Sequence, residues 1–357
     1  RTMRHAMQCT PIGGVSKPET SWLIVQPKAM TAIQRALGRS LYEAHSGVDT
    51  GANSVYWIEI VEQTKNQLTI RNLSNIGKKK LKEVVMPVEK ELVFPLLRGR
   101  DVERWTSKPS GHILVPHDIE SGHPIRLTDC RTKFSKAFSY FSEFKLVLEK
   151  RGTHKMMGEG KPFYAVYKIG DYTFSPHKVV WKEIAGRISG KGLLIAAMVS
   201  TTEDPVLGVK TVIPDHKLMF TSFKSEEEAN YVCAVLNSSL VRLIVASYII
   251  ETSISTRILN DIRISNYDPS NILHTNLANL SKQAHQAASR ENDEELTRIE
   301  KEIDATISHL YGLSEDETKE VLDSLNILLG HEAAVDLDEE DQSVSAPVSE
   351  QEVKLNS

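Results

Sequence analysis

The chain has 357 residues, 40% hydrophobic and 25% charged, enough for one large or two ordinary domains with a real core. No run approaches the roughly eighteen apolar residues of a membrane span, and the opening Arg1-Thr2-Met3-Arg4-His5 has no apolar signal core. The formal net charge of −4 conceals a division, because residues 291–357 carry 20 acidic and 4 basic side chains, which leaves 27 and 39 in residues 1–290.

A basic body with an acidic tail is expected of polyanion binders, and no membrane partner is implied. Cys9, Cys130 and Cys233 are far apart and form no Cys-x-x-Cys pair, which predicts a reduced, cytoplasmic protein without structural zinc. His112, His117 and His123 cluster loosely without a ligand spacing, so no metal site is expected there.

Residues 1–21 are rich in Gly and Pro and read as a linker or the remnant of an upstream domain. Trp22 to Val25 reads as a strand, and Lys28 to Leu37 as a helix stopped by Gly38. Leu41 to Ile60 is the organising stretch. Two strand-like ends flank the polar turn of Gly47, Asp49, Thr50, Gly51 and Asn53, and a hairpin is predicted. Such a turn can bring backbone amides and short polar side chains to a phosphate or a base edge. Gln67 to Leu73 reads as a strand, followed by the basic cluster Lys78, Lys79, Lys80 and Lys82.

From Glu91 to Trp105, an apolar plug of Leu92, Phe94, Leu96 and Leu97 anchors a loop with Arg98, Arg100 and Arg104. Arginine forks suit phosphates and guanine edges, and internal pairing with Asp101 and Glu103 is the competing use. His112 to His117 reads as a strand. Leu127 to Arg151 reads as one long helix with Phe134, Phe138 and Phe141 at helical spacing, ending in Lys150-Arg151-Gly152. Strands are predicted at 163–169, 178–184, 192–200 and 217–222. Ser225 with Glu228 is a capping box that opens a helix through Leu236, and a further helix spans 240–247. Helices follow at 269–289, 296–310 as its antiparallel partner, and from Ser314 to Leu329. From His331 on the composition predicts disorder.

The order of several motifs resembles one family. They are Gly47-Val48-Asp49-Thr50-Gly51-Ala52-Asn53, Pro95-Leu96-Leu97-Arg98-Gly99-Arg100-Asp101-Val102-Glu103-Arg104-Trp105, and Ile113-Leu114-Val115-Pro116. Leu148-Glu149-Lys150-Arg151, Lys178-Val179-Val180-Trp181-Lys182-Glu183-Ile184, Ile213-Pro214-Asp215 and Leu236-Asn237-Ser238-Ser239-Leu240 come next. Tyr267-Asp268-Pro269, Ile303-Asp304 and Leu310-Tyr311-Gly312-Leu313 close the series. Together, over about residues 20–330, they resemble the TaqI-like C-terminal specificity domain of adenine-specific DNA methyltransferases of restriction-modification systems.

That resemblance implies a module that reads duplex DNA for a methyltransferase catalytic domain or subunit, which would hold the S-adenosylmethionine. No two prolines are adjacent in this sequence, so the Asn-Pro-Pro-Tyr/Phe motif that grips a flipped adenine is absent from it. The chain is therefore expected to be the C-terminal part of a longer enzyme or a subunit working with a separate catalytic one, binding no cofactor itself.

The expected fold is α+β: a strand-rich mixed recognition domain over 22–267 with one long helix, a helical segment over 268–330, and a disordered acidic tail over 331–357. Thr50, Asn53, Arg98, Arg100, Arg104, Lys150, Arg151, Lys178 and Lys182 are expected to line a basic DNA-binding face. Two other readings stand beside this one. Asp204 with Asp215-His216-Lys217 loosely fits a metal-dependent restriction nuclease. The 269–329 helices would suit a protein-interaction scaffold that docks a catalytic subunit.

Overall fold

Two sheets carry the fold, and the stretch around Gly47 passes from one to the other. The computed structural model describes residues 6–64, 67–76, 80–183, 187–188, 191–248 and 254–329. Lys78, Lys79 and the acidic tail lie outside the described residues.

The first sheet has six strands in the order Ile213–Pro214, Val93–Leu97, Gly111–Leu114, Trp57–Gln63, Gln67–Asn72 and Val85–Glu89. All neighbours are antiparallel except Ile213–Pro214, which runs parallel to Val93–Leu97. Gln67–Asn72 alternates, with Leu68, Ile70 and Asn72 buried, as a strand with one covered face must. The second sheet has the order Ala196–Ser200, His177–Lys182, Leu218–Phe223 and His45–Ser46, all antiparallel. Its two faces feed different cores. Val179 and Trp181 join the helical core on one side, while Val180 and Phe220 pack with Leu97 and Val102 on the other.

Among the described residues, twelve helices complete the fold. They are α1 (Pro27–Ala36), α2 (Asn53–Tyr56), α3 (Leu127–Lys133), α4 (Ser135–Glu143), α5 (Lys145–Glu149) and α6 (Gly152–Met157), then α7 (Glu226–Asn237), α8 (Ser239–Tyr248), α9 (Ile258–Asp261), α10 (Ile272–Ser289), α11 (Asp293–Tyr311) and α12 (Glu315–Leu329). The mixed α+β class stands as expected.

The helical core joins α1, α7, α8 and α10–α12 to one face of the second sheet. Local signals set these helices. The Ser225 hydroxyl caps α7 through the Glu228 amide, and Ser314 and Glu317 satisfy each other's amides at the start of α12. Helix α11 stops at Gly312, whose φ of +67° suits glycine. Arg35 ties α1 to this end through the Gly312 carbonyl and Glu317. Among the described residues no single helix is long and apolar enough to cross a membrane. Helices α7 and α8 are apolar together because both are buried in this core, and they bend by 56° at their junction.

The cores do not divide at residue 267. Leu23, α1 and the second sheet belong with α10–α12, while the first sheet packs with α3–α5. Gln8–Pro11, expected as linker, pairs with Trp22–Val25 instead.

Three expectations change. Residues 41–60 form no hairpin, because His45–Ser46 pairs with Met219 and Phe220 whereas Trp57–Gln63 pairs in the other sheet. The single helix over 127–151 is broken at Phe134 and Phe144, where the backbone leaves helical angles. The first break frees an N-terminus for α4, and the distant Glu89 carboxylate caps its Lys136 and Ala137 amides at 3.0 and 2.9 Å. Residues 163–169 make no strand, since the Phe163 and Ala165 carbonyls turn inward to Arg151 and only Tyr167 pairs, with Asp49.

Candidate nucleic-acid interface

The crossing segment Gly47–Asn53 lies at the junction of the predicted site residues. A Cβ on Gly47 would stand 2.0 Å from the Asp215 carbonyl oxygen, so only glycine lets the two backbones meet. Val48 bridges to Asp215 and Asp49 to Tyr167. The Asp49 carboxylate accepts from the Gly51 amide at 2.9 Å. The Thr50 hydroxyl donates to Asn53 Oδ1 and accepts from the Ala52 amide at 3.1 Å. Thr50 is buried and its hydroxyl is fully used within the turn, whereas Asn53 is half-buried. Thr50 is a fastener of this turn and offers nothing to a ligand.

Arg151 holds the segment from the other side. Its guanidinium donates to the carbonyls of Thr50, Leu148 (2.9 Å), Phe163 (2.6 Å) and Ala165 (3.0 Å). The rings of Tyr56 and Tyr167 lie beside it, with centroids 5.4 and 5.7 Å away. A planar fork with five donors can satisfy four carbonyls at once, and here it is 4% exposed.

The loop at 98–104 is similarly engaged. Arg98 donates to Asp101 at 3.4 Å and to the Ser110 carbonyl at 2.9 Å. Arg104 pairs with Glu300 of α11 at 2.6 Å and donates to the Asn237 carbonyl at 2.9 Å. Trp105 donates its indole N–H to the same Glu300 at 2.7 Å, which clamps the loop to the helical core. Lys182 pairs with Glu103 at 3.3 Å. Lys178 is buried, donates to the Ser175 carbonyl at 2.7 Å, and is pushed down to about 7 by burial. Arg100 alone of this group stands out, 71% exposed beside Asp101.

The expected basic face is therefore corrected at three positions: Thr50, Arg151 and Lys178 are buried on internal partners, since a desolvated polar group must be met where it lies. Arg98, Arg104 and Lys182 are half-buried and held by internal partners, Asn53 is half-buried, and Arg100 and Lys150 are exposed.

The residues of the nuclease reading are occupied separately. The Asp204 carboxylate pairs with His112 at 2.9 Å and accepts from the Val206 and Leu207 amides. Asp215 is buried and accepts from the Lys217 amide at 2.8 Å, while the Lys217 ammonium pairs with Glu183 at 2.9 Å. Burial raises the Asp215 carboxyl above its ordinary range. Among the described residues no group of three His, Cys, Asp or Glu side chains is placed to hold a metal ion.

The exposed cations gather on α3–α6. Residues 126–168 carry ten Lys or Arg and four Asp or Glu. Arg131, Lys133, Lys150, Lys155 and Lys161 are exposed and, among the described residues, have no ion-pair partner; Lys145 has only Glu149 at 3.8 Å. A cleft of about 520 Å³ lies among them, lined by Arg131, Lys145, His154, Lys161, Phe138 and Phe163. A second cleft, of about 900 Å³, is different in charge. Glu91, Asp118, Glu120 and Asp129 outnumber its cations Arg126, Lys133 and Lys210. Of the sequence candidates only Lys150 belongs to the α3–α6 face. The others were missed because the phenylalanine spacing drew attention to the buried side of these helices. The count of lysines over 126–168 was the available signal.

No protein-family model matches the sequence. The chain is similar to the type II methyltransferase M.NspV of Nostoc sp. (strain ATCC 29411 / PCC 7524), with 28% identity over 163 residues. That stretch is 44% of this chain and 30% of the relative, so the match spans less than one third of the relative's length. Among solved structures, the type IIL restriction-modification enzyme MmeI in complex with DNA aligns with a TM-score of 0.48 and 10% identity, covering 82% of this chain and 36% of that one.

Proposed function

We propose that this chain is a duplex-DNA recognition module of a restriction-modification methyltransferase. The likeness to a type II methyltransferase supports the restriction-modification setting. The observation that carries the reading is the α3–α6 face, where Arg131, Lys133, Lys150, Lys155 and Lys161 are exposed and, among the described residues, have no ion-pair partner. Unpaired surface cations repel one another and gain most when a polyanion neutralises them. Lys133, Lys150 and Lys155 would contact phosphates and fix the register. Arg100, in the turn Gly99–Asp101, and Asn53, at the start of α2, would approach base edges. Adenine methylation, with its S-adenosylmethionine, falls on this reading to a catalytic domain or subunit outside the described fold.

Filter binding of the full chain to a labelled duplex, over a series of salt concentrations, tests this. The log of the association constant should fall linearly with the log of salt, with a slope of about −0.9 per phosphate neutralised. Absence of binding even in dilute buffer would sink the reading.

A further inference from the structure

The cleft on the α3–α6 face differs from the surface around it. Phe138 and Phe163 form its apolar wall, their centroids 6.3 Å apart and their planes at 68°. The Arg131 guanidinium lies 5.1 Å from the Phe138 centroid and the Lys145 ammonium 5.7 Å from that of Phe163. Lys161 stands beside them, 5.4 Å from the Tyr167 ring, and His154 shares a hydrogen bond of 2.6 Å with the Tyr167 hydroxyl. Flat aromatic rings thus face one hollow of about 520 Å³ together with Arg131 and Lys161, which have no ion-pair partner among the described residues, and with Lys145, which pairs with Glu149 of the same lining at 3.8 Å. The hollow has room for a ligand the size of a nucleotide.

An intact duplex cannot use both features. It offers phosphates on its outside and base edges in its grooves, but its base faces are stacked away. A nucleotide that has left the stack presents a π-face and a phosphate together, the pairing that single-strand-binding grooves exploit. We propose that this cleft holds one unpaired nucleotide, its base against Phe163 and its phosphate on Arg131 and Lys161, so that the chain favours DNA with a base out of the stack. The proposal rests on the DNA reading above and narrows it to a state of the DNA.

The test uses the full chain and three labelled DNAs of one sequence: a perfect duplex, the same duplex with one bulged nucleotide, and the single strand. The bulged duplex should bind about ten-fold more tightly than the perfect one. Phe163→Leu should abolish that preference and leave perfect-duplex affinity within about three-fold, whereas Arg131→Ala with Lys161→Ala, which also removes two cations of the duplex-facing surface, should weaken bulged-duplex binding about ten-fold more than perfect-duplex binding. Circular dichroism and the unfolding midpoint check that each variant folds. Arg131 and Lys161 are exposed, so their double variant carries the test if Phe163→Leu disturbs packing. Equal wild-type affinity for bulged and perfect duplex would overturn the proposal. So would a double variant that weakens both alike, which would assign these cations to the duplex face and leave the duplex reading intact. Binding to the single strand but to neither duplex would keep the cleft and sink the duplex reading, and binding to none of the three would sink both.

Discussion

Two groups of cations lie close together in this protein and share little else. Arg98, Arg104, Arg151 and Lys178 are turned inward onto carbonyls and carboxylates, at the seam where the crossing segment joins the two sheets. Lys133, Lys150, Lys155 and Lys161 stand on or beside α3–α6, exposed and, among the described residues, with no ion-pair partner. The contrast is sharpest across one peptide bond, since Lys150 is exposed and Arg151 is 4% exposed. Charge in a sequence therefore has two uses that composition cannot separate. A guanidinium with its acceptors in place is part of the scaffold, and its removal strands those acceptors. A solvated ammonium is spare for a partner.

Exchanging one group for the other should give opposite phenotypes, and the buried side should show the larger stability effect. Arg151→Ala deletes donors to four carbonyls in the interior and should cost about 4 kcal/mol, read as a lowered midpoint in denaturant unfolding. Arg151→Lys should recover less than half, because an ammonium cannot span the same acceptors. An unchanged midpoint for Arg151→Ala would erase the distinction drawn between the two groups.

His117 gives the next largest effect, through pH. Its Nδ1 donates to the Gly122 carbonyl at 2.8 Å and its Nε2 accepts from the Val166 amide at 3.1 Å, so the buried ring is neutral. Burial, aided by the charges of Lys161 and His123 and opposed by the Gly122 carbonyl, lowers it from 6.5 to about 4. The unfolded chain then takes up a proton below about pH 6.5 that the folded chain refuses until about pH 4. Stability should accordingly fall as pH drops through that window, by about 3 kcal/mol in total. His117→Gln should flatten this part of the profile, and a profile as steep as wild type would show that other groups set it.

Glu300→Gln probes the clamp between the 98–104 loop and α11. The amide oxygen can still accept from Trp105, and Arg104 keeps the Asn237 carbonyl, so the expected loss is only about 1–2 kcal/mol. Glu300→Ala removes both and should cost more than Glu300→Gln. Equal midpoints for the two variants would mean that the indole bond contributes nothing.

These outcomes also bear on how much the sequence made legible. Trp22–Val25, α1, α7 and α10–α12 were readable because their signals are local: a capping serine, an apolar stripe, a glycine stop. The crossing at 47–56 was not, because its conformation is set by contacts with Asp215 and Tyr167, more than a hundred residues away. The break at Phe134 was hidden likewise, since the carboxylate that caps α4 is Glu89. For the site, the excess of positive charge was visible but its distribution was not. Internal pairing was open to the sequence for Arg98, which does meet Asp101, but the partners of Arg104, Asn237 and Glu300, lie on other elements far along the chain. The cleft escaped notice because Arg131, His154 and Phe163 come from different elements.

The smallest stability effect belongs to the exposed pair, and it is the most informative about function. Lys150→Glu with Lys155→Glu replaces two solvated ammonium groups that, among the described residues, have no ion-pair partner, so the unfolding midpoint should not move. Duplex binding should weaken by a similar factor on every sequence tried, because phosphate contacts carry no base information. The log–log salt slope should become shallower by about two, one for each phosphate that no longer meets an ammonium group. A loss confined to one target sequence would instead place these lysines at base edges. A slope identical to wild type would remove α5 and α6 from the DNA-facing surface and leave Arg100 and Asn53 as the place to look.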